Sequence, residues 1–68
     1  MDTQKKIGKN LKKARKNLGL KQSEVAKKAG ISSNYYAMVE RGEKNPSSKI
    51  LEDIFKVLKV KSSDILPF

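Results

Sequence analysis

The chain has 68 residues, with 16 Lys and Arg against 7 Asp and Glu, a formal net charge of +9. It contains no Cys and no His, which excludes disulfides, thiolate or imidazole metal sites and histidine acid–base catalysis. A domain this short leaves much of its surface exposed, so its stability must come from helix packing or from a second subunit.

No apolar run is long enough for a bilayer. Met1 to Lys6 lacks the apolar stretch of a signal peptide. A soluble, cytoplasmic protein of one domain, residues 1–68, is the expectation. The charge is uneven: residues 1–28 carry +8 and residues 29–68 only +1. Such asymmetry points to a polyanionic partner, nucleic acid or an anionic membrane, with a lysine-rich solvated surface as the plainer reading.

In chain order, Ile7, Leu11, Ala14 and Leu18 recur at spacings of four, three and four, predicting a helix over about 3–18 with lysines on its other sides. Asp2 or Thr3 can cap its start, and Gly19 suits the left-handed position after its end. Gly8 in its interior is unfavourable by about 1 kcal/mol relative to Ala, and no local pattern accounts for it. A second helix spans 22–29 and stops at Gly30. A third spans 33–41, with Ser32 as N-cap and Gly42 as the stop. Two short helices joined only by Gly30-Ile31-Ser32 form a helix-turn-helix candidate. Pro46 ends a loop, and Ser47 starts a fourth helix over about 47–58, where Ile50, Leu51, Ile54, Phe55, Val57 and Leu58 make a wide apolar stripe. Ser62 is the expected cap of a last turn over 63–66, stopped by Pro67. No segment of useful length alternates with period two, so the fold class is all-α, a five-helix domain.

Counting Gln22 as position one, Val25 is fourth, Ala26 fifth, Ala29 eighth, Gly30 ninth, Ile31 tenth, Tyr36 fifteenth and Val39 eighteenth. Ala26 is small where the two helices cross closest. Gly30 takes positive φ without steric penalty. Val25, Ala29, Ile31, Tyr36 and Val39 point inward. One face of the third helix is left uncovered. It carries Ser33, Asn34, Ala37, Met38 and Arg41, with Tyr35 at its edge, and it is too polar to be core.

The run Leu20-Lys21-Gln22-Ser23-Glu24-Val25-Ala26-Lys27-Lys28-Ala29-Gly30-Ile31-Ser32, followed by Val39-Glu40-Arg41-Gly42 and Asn45-Pro46-Ser47, resembles the Cro/repressor-type helix-turn-helix, also called the XRE family. The resemblance covers about residues 7 to 66. It implies a lambda-repressor-like five-helix domain that binds double-stranded DNA, usually as a dimeric transcription regulator encoded by a phage, a plasmid, a restriction–modification system or a bacterial chromosome. It implies base contacts from Ser33, Asn34 and Met38. It implies backbone contacts from Gln22, from Ser32 (at a position that touches the backbone or a thymine methyl) and from Arg41, Lys44 and Asn45 in the loop after the recognition helix. Tyr35 reads either as a phosphate or sugar contact or as a rim residue. Arg15 and Glu40 match a partly buried structural ion pair. Dimer contacts are implied for about Val60 to Phe68, within which Val60, Ile65, Leu66 and Phe68 offer the apolar surface. Two departures stand out. Lys21 replaces the usual Ser or Thr cap, leaving it to reach a phosphate. Ser33 replaces a longer glutamine and reads bases less selectively, whereas Asn34 can pair bidentately with adenine.

Other function classes fit less well. An antitoxin-like or accessory interaction module would need a partner-binding tail, and none is seen after the last helix. An enzyme would need groups that the seven acids do not supply. A membrane-surface helix would spend on lipid the four apolar residues that the core requires. Adjacent tyrosines on a helix do not make a stacking platform for single-stranded RNA. The expected partners are therefore a palindromic DNA operator and a second copy of the chain, with no cofactor, metal, membrane or small-molecule ligand.

Overall fold

The computed structural model describes residues 3–67. Among them there are five helices and no strand: α1 (Thr3–Asn17), α2 (Gln22–Ala29), α3 (Ser33–Glu40), α4 (Ser48–Leu58) and α5 (Ser62–Ile65). The expected Asp2 cap lies outside the described residues. α2 packs on α3 and α4, and α1 lies across α3, α4 and α5. One core results, built from Ile7 and Leu11 of α1, Val25, Ala26 and Ala29 of α2, Tyr36 and Val39 of α3, Ile54, Phe55 and Leu58 of α4, and Ile65 of α5.

The boundaries follow local chemistry. α1 ends one residue earlier than its apolar spacing predicts. Gly19 turns left-handed at φ 70°, and the Leu20 amide donates back to the Arg15 carbonyl at 3.2 Å. This turn throws Leu18 outward, 43% exposed, and tucks Leu20 against the core instead. The fourth place on the buried face of α1, after Ile7, Gly8 and Leu11, belongs to Arg15. Gly30, at φ 77°, closes α2, and its successor Ile31 donates to the Ala26 carbonyl. Ser32 Oγ accepts from the Tyr35 amide at 3.0 Å and so starts α3. Ser47 does the same for α4 through the Ile50 amide. α5 begins at Ser62 itself, the expected cap, one residue ahead of its expected start. Lys61, not Ser62, holds the N-cap position, with the Asp64 carboxylate accepting the Lys61 amide at 2.9 Å.

The interior glycine of α1 is explained by tertiary contact. A Cβ on Gly8 would fall 2.6 Å from the Val39 carbonyl oxygen and closer still to that of Glu40. α1 therefore lies with its bare backbone on the last turn of α3. Replacing Gly8 with Ala should destabilise the domain by about 1–3 kcal/mol through overpacking, although Ala is the better helix former. The melting temperature should drop by roughly 4–8 °C for each kcal/mol lost. A melting temperature equal to or above that of the parent would show that the two helices can separate without loss.

Candidate nucleic-acid interface

The third helix is held at its far end by a buried ion pair. Arg15 Nε donates to Glu40 Oε2 at 2.7 Å, and Arg15 Nη2 donates to Glu40 Oε1 at 3.1 Å. The two side chains are 10% and 3% exposed. The remaining guanidinium edge is used too, because Nη1 donates to the Leu20 carbonyl at 2.8 Å. From the first turn of α2, Gln22 Nε2 donates to Glu40 Oε1 at 2.9 Å. One carboxylate thus ties α1, α2 and α3. Burial opposes its ionisation, but hydrogen bonds from Arg15 and Gln22 outweigh that penalty and hold the Glu40 carboxyl below its ordinary value. The fully buried Tyr36 completes the cluster. Its hydroxyl has no hydrogen-bond partner among the described residues. Burial, and then the Glu40 charge, push the phenol far above its ordinary range, so it stays neutral.

Anchored in this way, α3 buries Tyr36, Val39 and Glu40 and presents its opposite side. Ser33 and Asn34 on its first turn are exposed. Met38 is half-buried yet does not pack against the core cluster, whereas Tyr35, also half-buried, does. Around this face Lys21, Ser32, Arg41, Lys44 and Asn45 are exposed, and Gln22 is half-buried through its bond to Glu40. Ser32 spends one acceptor lone pair on the α3 cap and keeps its hydroxyl proton to donate. Lys21 begins α2 without a side-chain cap of its own. The Glu24 carboxylate accepts its amide at 2.7 Å instead, so its ammonium is not needed there.

Two features escaped the sequence reading. The first is the approach of α1 to the loop after α3. A Cβ on Gly42 would lie 2.9 Å from Lys5 Cα, so the amino end of α1, with exposed Lys5, Lys6 and Lys9, borders the loop that carries Arg41 and Lys44. No local signal announces a contact between residues so far apart in the chain. The second is that the Arg41 guanidinium is already engaged by Glu43, at 3.0 and 3.1 Å.

The residues expected at a dimer contact differ in exposure. Ile65 is 2% exposed and belongs to the protomer's own core, since the short α5 must drive an apolar side chain under α1 to be held at all. The Asn10 amide, donating to the Ile65 carbonyl at 2.8 Å, fixes it there. Val60 and Leu66 are half-buried, and Phe68 lies outside the described residues. Beside them a cleft of about 280 Å³ opens between α1 and α5, lined by Asn10, Lys13, Asn17, Val60 and Asp64 among others. Among the described residues no group of His, Cys, Asp or Glu is placed to hold a metal ion, and no helix is long and apolar enough to cross a membrane.

A short polar helix, held outward by a tight glycine turn on a strongly basic chain, is the arrangement by which helix-turn-helix proteins address duplex DNA. The helix-turn-helix family model matches residues 11–65. The chain belongs to that family, as a regulator of the Cro/repressor type. Over 66 residues it is 33% identical to y4dJ, an uncharacterized HTH-type transcriptional regulator of Sinorhizobium fredii, covering 97% of this chain and 86% of that protein. Over 61 residues it is 39% identical to the HTH-type transcriptional regulator SinR of Bacillus subtilis, covering 88% of this chain but only 55% of SinR. Among solved structures, the restriction-modification controller protein C.AhdI from Aeromonas hydrophila matches with a TM-score of 0.87 at 27% identity, covering 91% of this chain and 94% of that one.

The anchor makes stability depend on pH with a definite sign. Because the folded Glu40 carboxyl ionises below its ordinary value of 4.5, its contribution is fully present above that pH and is lost as pH falls through the folded value. Glu40→Ala should lower stability at neutral pH by about 3–5 kcal/mol, because it strands a buried guanidinium. Glu40→Gln should be less stable than the parent at neutral pH and lose less on acidification. Urea unfolding at about pH 7 and about pH 3 would check this. Equal acid losses in parent and Glu40→Gln would contradict an ionised, paired Glu40.

Proposed function

We propose that this protein regulates transcription by binding a palindromic operator as a symmetric dimer, each protomer laying α3 in the major groove. What carries the reading is that Ser33 and Asn34 stand exposed on the first turn of α3, while Tyr36, Val39 and Glu40 of the same helix are buried. The helix is fixed on one side and unoccupied on the other. In this reading Asn34, Ser33 and Met38 meet base edges and set the sequence. Lys21, Gln22, Ser32, Tyr35, Lys44, Asn45 and Arg41 meet phosphate or sugar and set register and much of the affinity. Lys5, Lys6 and Lys9 add positive potential beside the loop. The dimer contact is formed around Val60 and Leu66. The setting is the cytoplasm of a bacterium, with the gene on a chromosome, a phage or a plasmid, and no cofactor or small-molecule ligand takes part.

Gln22 has a double role here. Its amide nitrogen faces Glu40, which fixes the start of α2 relative to the end of α3, and its exposed part is available to a phosphate. The backbone grip and the reading helix then move as one body.

Selection of bound sequences from random duplexes tests the proposal directly, and a two-fold symmetric motif with half-sites about 34 Å apart is expected. On that motif Asn34→Ala should lose about 1–3 kcal/mol and relax preference at one base pair. Gln22→Ala should weaken all duplexes alike. A uniform loss for Asn34→Ala would reassign it to the backbone, and a changed motif for Gln22→Ala would reject its phosphate role. Binding should also weaken steeply with salt, and sedimentation should find two protomers on each palindromic duplex. One protomer per duplex would overturn the dimer.

A further inference from the structure

The pair formed by Arg41 and Glu43 is placed oddly for a stabilising interaction. Both side chains are 54% exposed, and screened ion pairs of this kind add little to stability. Glu43 is also badly sited by charge. Gly42 turns left-handed at φ 79°, and the Glu43 amide donates to the Met38 carbonyl at 2.9 Å. This folds a carboxylate back onto the carboxyl end of α3, where the helix dipole disfavours negative charge. It is also the exposed acid closest to α3 along the chain, flanked by Arg41 and Lys44.

The geometry of the pair suggests its purpose. Arg41 Nε meets Oε2 at 3.0 Å and Arg41 Nη2 meets Oε1 at 3.1 Å, a fork-to-fork contact. A guanidinium offers the same fork to two phosphate oxygens. The hydrogen bonds from Arg41 hold the Glu43 carboxyl below its ordinary value, so it is ionised at neutral pH.

We propose that Glu43 is a built-in competitor for DNA phosphate: it occupies the Arg41 guanidinium in the free protein and must be exchanged for phosphate oxygens when duplex binds, which lowers the sequence-independent part of the affinity. This rests on the proposed DNA interface and adds a residue that acts against binding. On a chain of net charge +9, whose loop already gathers Arg41 and Lys44 beside Lys5, it restrains retention on arbitrary duplex. The exchange also blunts salt dependence, because the released carboxylate recovers part of the counterion that the phosphate gives up.

The test measures binding to a random-sequence duplex across a salt series for the parent, Glu43→Gln, Arg41→Gln and the double variant. Glu52→Gln, at an exposed position of α4, serves as a control for the loss of one negative charge. Glu43→Gln should fold as the parent does by circular dichroism and bind about threefold tighter or more at low salt, with a log–log slope steeper by up to about 0.9. Arg41→Gln should cost less in the parent than in the Glu43→Gln background, where it should cost at least about threefold. If Glu43→Gln gains no more than Glu52→Gln, or if Arg41→Gln loses equally in both backgrounds, the competitor role is wrong while the DNA interface stands. If the parent itself ignores duplex at low salt, the interface is wrong and this role falls with it.

Discussion

Three helices meet on the carboxylate of Glu40. It sits on the last turn of α3 and is held by the Arg15 guanidinium from α1 and the Gln22 amide from α2. A charge this deeply buried is tolerable only when fully paired, so the arrangement leaves little freedom in how α3 is aimed. Gly8 strengthens the constraint from the other side of the contact, because it lets the backbone of α1 touch the carbonyls of Val39 and Glu40. The helix proposed to read DNA is only eight residues long. By itself such a segment would not be helical in water. Its order is borrowed from the anchor at its end, the Ser32 cap at its start and the core beneath Tyr36 and Val39.

That order has a functional consequence. Recognition by a few side chains on one helical turn works only if their positions are fixed before binding, since each group ordered on contact subtracts from affinity. Gln22 couples the two parts of the problem, because the residue proposed to touch phosphate is bonded to the helix proposed to touch bases. The electrostatic side is graded differently. Exposed lysines on α1 supply a broad attractive field, and the Arg41–Glu43 pair opposes it at one point on the rim. Attraction and restraint therefore lie on different elements and can be tuned without disturbing the buried pair.

The sequence by itself determined the five helices, the turn at Gly30 and the inward set Val25, Ala29, Ile31, Tyr36 and Val39, with Ala26 where the two helices cross. These follow from local rules of period, capping and positive φ, which act over a few residues and leave a mark in the order of side chains. The exposure of Ser33 and Asn34 was legible for the same reason, since a polar patch opposite a buried face declares its own direction. The motif resemblance added the pairing of Arg15 with Glu40, which no local rule supplies. The tertiary structure alone decided what depends on distant segments meeting: why Gly8 has no side chain, why Arg15 and not Leu18 completes the buried face of α1, why Ile65 is spent on the core, and how Lys5 comes to lie against Gly42. Those contacts join residues far apart in the chain, and their energy is set by packing and desolvation at the meeting point rather than by any short-range pattern.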